Sequence, residues 1–145
     1  MEKIIYCDMD GVLADFYAEP NAVKRFRKEK HFFYNLKPIE DNIRALEYLS
    51  RKYKVKILST SPHNRADRDK KRWLKKYAPF IKKEDIILIR NGQRKVDFMQ
   101  SRNGVLFDDY GVNCLEWLTK RDNVSYKITN NLRITDLITT LEITL

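Results

Sequence analysis

Short apolar runs alternate with segments of helical period along most of the chain, and that rhythm admits few architectures. Ile4-Ile5-Tyr6-Cys7, Val55-Lys56-Ile57-Leu58, Ile86-Ile87-Leu88-Ile89 and Val105-Leu106-Phe107 read as buried strands, with Val124 to Ile128 a weaker fifth. Between them, Ile43, Leu46, Leu49 and Tyr53, then Trp73, Tyr77 and Phe80, then Val112, Leu115 and Leu118 recur at helical spacing. Ile134, Leu137, Ile138, Leu141 and Leu145 also suit a helix, although the many threonines and β-branched residues make a strand a competitor. Parallel neighbours need crossover connections, nearly always right-handed, so the alternation predicts an α/β fold: a parallel sheet with helices on both faces.

In such sheets ligands sit beyond the carboxyl ends of the strands, where the strand order reverses. Asp8, Thr60 and the pair Asp108-Asp109 each directly follow an apolar run, so their polar groups are expected to converge on one edge. Asp8 and Asp10 are two residues apart, and Gly11 lets the backbone turn away. Burying unpaired carboxylates costs several kcal/mol or more, by order of magnitude, and a divalent cation removes that conflict. Magnesium prefers oxygen ligands and uses one or two carboxylates while leaving room for phosphate. Either acidic pair alone could be a turn or a helix cap. Both after apolar runs point to a Mg²⁺ site.

A length of 145 residues fits one domain, 1–145, able to fold without disulfides or structural metal. Residues 15–38 break the rhythm with Pro20, a basic cluster (Lys24, Arg25, Arg27, Lys28, Lys30) and an aromatic one (Phe26, Phe32, Phe33, Tyr34), and are expected to form a small insertion over the site. The net charge of +9 comes mostly from Lys and Arg between Lys24 and Arg102 and favours anionic partners, phosphorylated small molecules or nucleic acid, unless these side chains merely solvate helix faces. Cys7 and Cys114 show no metal or redox spacing, which fits a reducing cytoplasmic setting. The first residues resemble neither a signal nor a transit peptide, and no apolar stretch approaches the roughly 20 residues needed to span a bilayer. No feature sets the oligomeric state.

Asp8-Met9-Asp10-Gly11-Val12-Leu13-Ala14-Asp15-Phe16 resembles the first motif of haloacid dehalogenase (HAD) phosphatases, in the form shared by 5′(3′)-deoxyribonucleotidases. Leu58-Ser59-Thr60-Ser61-Pro62 is similar to the second motif, Lys95 to the third-motif lysine and Leu106-Phe107-Asp108-Asp109-Tyr110 to the acidic fourth motif, all in the family's order. The likeness covers roughly residues 1–120 and implies a HAD-like Rossmannoid fold, a three-layer α/β/α arrangement with a five-stranded parallel sheet and a cap insertion after the first strand. It implies that Asp8 attacks phosphorus to form an aspartyl-phosphate and that Asp10 is the general acid and base. Mg²⁺ would be held by the Asp8 carboxylate, the Asp10 main-chain oxygen and Asp109, with Asp108 orienting a coordinated water. Thr60, Ser61 and Lys95 would hold the transferring oxygens, with Arg90 or Arg94 as alternatives to Lys95 and with Ser61, before Pro62, also suited to capping a helix. Phe16 matches a position where the nucleotidases stack the substrate base, and helical spacing from Leu13 equally suits it to the core.

The insertion is shorter than the helical cap of those nucleotidases, so substrate recognition does not carry over. Three readings follow. One is a nucleotidase acting on nucleoside monophosphates. Another is a phosphatase for nucleic-acid ends, for which a basic surface and an open site are assets. The last is a catalytically silent binding module, against which stands the presence of every motif residue; phosphorylated sugars or cofactors are further candidates as substrates.

Overall fold

The computed structural model describes residues 3–145, so the reading of the first residues, which involves Met1 and Glu2, lies outside the described part. Strands β1 (Ile4–Cys7), β2 (Lys54–Thr60), β3 (Ile86–Ile89), β4 (Gly104–Asp108) and β5 (Val124–Lys127) form one parallel sheet in the order β3-β2-β1-β4-β5. The chain winds outward from β1 to β3, then returns past β1 to β4. The order therefore reverses between β1 and β4, which makes their carboxyl ends the switch point.

Helices α1 (Ala22–Arg25), α2 (Glu40–Ser50), α3 (Asn64–Tyr77), α4 (Gly111–Trp117) and α5 (Ile134–Thr144) fill the connections and the tail. Side chains alternate across β1. Ile5 and Cys7 join the larger core with Leu46 and Leu49 of α2, Trp73 of α3 and Leu137 of α5. Tyr6 points the other way, into a smaller core with Leu58, Leu106 and Trp117 of α4. Burying one such large apolar side chain stabilises by about 1.5–3 kcal/mol, so both faces contribute to holding the edge still.

One expectation shifts in detail. Val112 and Leu115 on α4, and Leu118 just after it, face solvent, while Cys114 and Trp117 face inward. The cause is the indole, which meets Tyr6 edge-on at 5.1 Å and donates through Nε1 to the Gly104 carbonyl at 3.1 Å, fixing the inward face. The β3–β4 link holds no α-helix, only a short 3-10 turn at Lys95–Phe98. The tail is a helix, in which Ile134, Leu137 and Leu141 are buried.

Residues 16–36 leave and re-enter the fold through a clamp. The Asp15 amide donates to the Lys37 carbonyl at 2.8 Å, and the Ile39 amide donates to that of Leu13 at 2.7 Å. Within the excursion, Phe16 meets Phe26, Phe32 and Phe33 at centroid distances of 5.8, 5.6 and 6.5 Å. Among the described residues, no helix is long and apolar enough to cross a membrane.

Candidate active site

Register alone brings the first two acids together. Cys7 pairs with Phe107 across β1 and β4, so the next residues, Asp8 and Asp108, are neighbours on adjacent parallel strands about 4.8 Å apart. The Asp8 amide donates to the Phe107 carbonyl at 2.8 Å, extending the ladder by one bond. Oxygens of Asp8, Asp108 and Asp109 all lie within 4.8 Å of one another.

Lys95 closes this group from the turn after β3. Its Nζ lies 3.0 Å from Asp8 Oδ1 and donates to Asp108 Oδ2 at 2.6 Å, and the residue is only 3% exposed. Burial by itself would lower the lysine pKa, but the Asp8 and Asp108 charges outweigh it and push the pKa above the ordinary value. The carboxylates respond in the opposite sense. Burial, then the Asp8 charge, raise Asp108 to about 6 despite Lys95, and burial with Asp8 raises Asp109 to about 9. One lysine does not offset three crowded acids.

Asp108 and Asp109 differ in what remains free. Asp108 is fully buried; its Oδ1 accepts from the Tyr110 amide at 2.9 Å and its Oδ2 from Asn113 Nδ2 at 3.2 Å as well as from Lys95. Asp109 presses on Gly11, where a Cβ would stand 2.1 Å from Oδ2. Gly11 also has φ of +82°, so this position excludes a side chain twice over.

Asp10 sits apart from the three acids and is gripped by a second lysine. Lys70 Nζ donates to Asp10 Oδ2 at 2.6 Å, to the Thr60 carbonyl at 2.7 Å and to Ser59 Oγ at 3.0 Å. Sequence reasoning missed Lys70. The signal was there: Lys70 lies four residues after Ala66 and three before Trp73, both buried, and so on the inward face of α3. A charged residue there requires a buried partner.

The remaining sequence candidates are placed as follows. Thr60 ends β2, half-buried, and Ser61 is buried with its amide donating to the Ile89 carbonyl at 2.7 Å. Ser61 does not cap α3; His63 does, its Nδ1 accepting from the Ala66 amide at 3.1 Å. Arg90 is engaged by both oxygens of Asp67 and by Asn64, and Arg94 by Glu116 and Thr119, which leaves Lys95 as the cation among the acids. Cys7 is buried, and burial followed by the adjacent Asp8 charge raises its thiol, which suits structure rather than nucleophilic chemistry.

Phe16 is 8% exposed, with its ring enclosed by the insertion aromatics and Tyr17. The exposed ring at this edge belongs to Tyr17, 69% exposed. Its phenol is raised by burial of part of the ring and by the Asp109 charge. Tyr17, Gly11, Asp109, Asn130 and Arg133 line an open cleft of about 560 Å³.

These donors fit a hard divalent cation. Three carboxylates with oxygens within 4.8 Å of one another, Asp108 and Asp109 with proton affinity raised by burial and by the Asp8 charge, face one lysine; an ion of charge +2 relieves that repulsion, and all the acidic groups are oxygen donors.

Comparison with known proteins identifies the family. The family model described as 5′ nucleotidase, deoxy (pyrimidine), cytosolic type C protein matches residues 18–140. A putative 5′(3′)-deoxyribonucleotidase of Vibrio phage KVP40 is 31% identical over 87 residues, spanning 52% of this chain and 51% of that protein. The 5′(3′)-deoxyribonucleotidase of Clostridium acetobutylicum is 33% identical over 95 residues, 62% of this chain and 51% of the relative. That of Bacillus subtilis is 30% identical over 120 residues, 63% and 70% of the two chains. The chain thus spans about half the length of the first two relatives. Among solved structures, the HAD domain of the effector protein Lem4 from Legionella pneumophila superposes with a TM-score of 0.57 at 15% identity, covering 99% of this chain and 97% of that one, which shows a shared HAD fold.

Proposed function

This chain belongs to the 5′ nucleotidase, deoxy (pyrimidine), cytosolic type C family, and from that premise we propose that it is a Mg²⁺-dependent phosphomonoester hydrolase acting on nucleoside monophosphates through an aspartyl-phosphate. The observation that carries the reading is the meeting of Asp8, Asp108, Asp109 and Lys95 at the switch point of the sheet. The relatives named 5′(3′)-deoxyribonucleotidase support the nucleotide as substrate.

Asp8 is the nucleophile: a carboxylate oxygen bonds to phosphorus while the ester oxygen leaves. Asp10 gives that oxygen its proton and then takes one from the water that releases phosphate. Lys95 neutralises charge beside Asp8, and Thr60 with Ser61 offers donors to the transferring oxygens. The Asp8 carboxylate, the Asp10 main-chain oxygen and Asp109 would hold Mg²⁺, which would supply screening between nucleophile and phosphate. Asp109 suits the direct ligand role because both oxygens of Asp108 already accept hydrogen bonds. The insertion serves as a reduced cap, and Tyr17, beside Asp109, offers the exposed aromatic face for a base that buried Phe16 does not. The free, buried cysteines suit a reducing cytoplasm.

A second reading, a phosphatase for nucleic-acid ends, is favoured by one surface. Arg65, Arg68, Lys71, Arg72, Lys75 and Lys76 are exposed along α3 and form no ion pair among the described residues, whereas Asp67 and Lys70 of that helix are paired. A panel of deoxynucleoside 5′- and 3′-monophosphates, phosphorylated sugars and a 3′-phosphorylated oligonucleotide tests both readings. Turnover of mononucleotides with little salt dependence supports the first. Preference for the oligonucleotide, with affinity falling steeply as salt rises, replaces it with the second. Hydrolysis of no phosphomonoester rejects both.

A further inference from the structure

We propose that Lys70 is a positioning residue that fixes the Asp10 carboxylate for proton transfer, with the insertion supporting it through Phe33. The inference rests on the hydrolase reading above.

The lysine is fully buried. An ammonium has three N–H donors, and here each has one acceptor: Asp10 Oδ2, the Thr60 carbonyl and Ser59 Oγ. Two of those acceptors belong to the end of β2, so the tripod ties Asp10 to the strand that carries Thr60. Phe33 closes the remaining side, its ring centroid 4.4 Å from Nζ. Lys70 therefore has no freedom to follow a moving carboxylate. It sets where Asp10 stands.

The two Asp10 oxygens are consequently unequal. Oδ2 is occupied by Lys70, while Oδ1 is buried without a hydrogen-bond partner among the described residues. Such an orphaned acceptor is costly unless it has work to do. Lys70 thus fixes the carboxylate by one oxygen only and leaves the other unengaged. As the Asp8–phosphorus bond forms and the ester oxygen–phosphorus bond breaks, the proton that Asp10 gives as general acid passes to the departing oxygen. The alcohol leaves, and Asp10 remains as a carboxylate against Lys70. A lysine needed only to neutralise buried charge would affect all substrates alike. A lysine that aims the acid matters only where the leaving oxygen needs a proton.

The test compares kcat/KM, which covers steps up to phosphoryl transfer, for a deoxynucleoside 5′-monophosphate and for 2,4-dinitrophenyl phosphate, whose phenolate leaves unprotonated. Lys70→Met is expected to lower the value for the nucleotide about 100-fold and for the aryl ester less than about threefold, the loss typical of a misplaced general acid. Lys70→Arg should recover about tenfold of the nucleotide loss. Phe33→Leu, which keeps the packing but removes the ring face, should change the nucleotide-to-aryl ratio about threefold in the same direction and gives a reading even if Lys70→Met does not fold. Equal losses on both esters in the folded variants, or an unchanged ratio, overturn the proposal. Wild-type protein hydrolysing neither ester would reject the hydrolase reading itself and this inference with it.

Discussion

At the carboxyl edge of β1 and β4 the acidic groups are fixed by strand register and buried lysines, whereas residues 16–36 are held chiefly by ring against ring. The edge offers almost no slack: Asp8 and Asp108 share Lys95, Asp109 lies on Gly11, and Asp10 is tied to β2 through Lys70. The insertion is a cluster of edge-to-face rings, Phe16, Phe26, Phe32 and Phe33, clamped where the chain enters and leaves and tied to α3 and its cap by the His31–Asp69, His63–Arg27 and Trp73–Leu36 contacts. Hydrogen-bonded charges demand one geometry, while aromatic packing tolerates substitutions of similar volume. In the proposed reading chemistry is assigned to the edge and selectivity to the insertion, and the two should respond to mutation on different scales.

The largest separation is expected from Asp8→Asn, which should lower turnover on the order of 10⁴-fold or more while thermal unfolding shows an intact fold. Near wild-type turnover in this variant would break the comparison at its centre. Lys95→Met removes one cation facing the reacting group and should cost about 10²–10³ in kcat, with Mg²⁺ present throughout. A loss confined to KM would move Lys95 from chemistry to binding.

Stability should follow proton uptake at the same edge. Asp108 and Asp109 have folded pKa values near 6 and 9, raised by burial and by Asp8, above the unfolded range for aspartate. The metal-free folded state therefore binds more protons than the unfolded state between about pH 4 and 9, so stability falls as pH rises through that window. Melting temperature without metal should be higher at pH 5.5 than at pH 8.5, by direction, and Mg²⁺ should reverse the trend by favouring the ionised acids. A flat profile would mean the acids are not crowded as described. Gly11→Ala probes the same crowding and should destabilise by about 1–3 kcal/mol, measured by urea unfolding, since it combines positive φ with the Asp109 contact. The smallest effect belongs to the insertion: Phe26→Leu should cost about 1 kcal/mol and change KM more than kcat.

Much of the edge was legible because strand ends are written in short range. The apolar runs before Asp8 and Asp108 fix both position and register, and a parallel sheet then leaves the two acids adjacent. What stayed hidden depends on which way a side chain points. Phe16 and Tyr17 are consecutive aromatics, and only the packing of the insertion decides that the first is buried and the second exposed. Lys70 sits in a run of basic residues whose neighbours face solvent, so composition disguised its inward position. Val112, Leu115 and Leu118 have helical spacing yet face solvent, because Trp117 claims the side of α4 that meets the sheet.

The most direct measurement is the chemical identity of the phosphorylated residue during turnover. Quenching a reacting mixture with borohydride reduces an aspartyl-phosphate to homoserine, and peptide mass spectrometry locates the change. The account predicts homoserine at position 8 with phosphomonoester and Mg²⁺ both present, and at no other aspartate. Steady turnover with Asp8 unmodified, or reduction at a different acid, would contradict it.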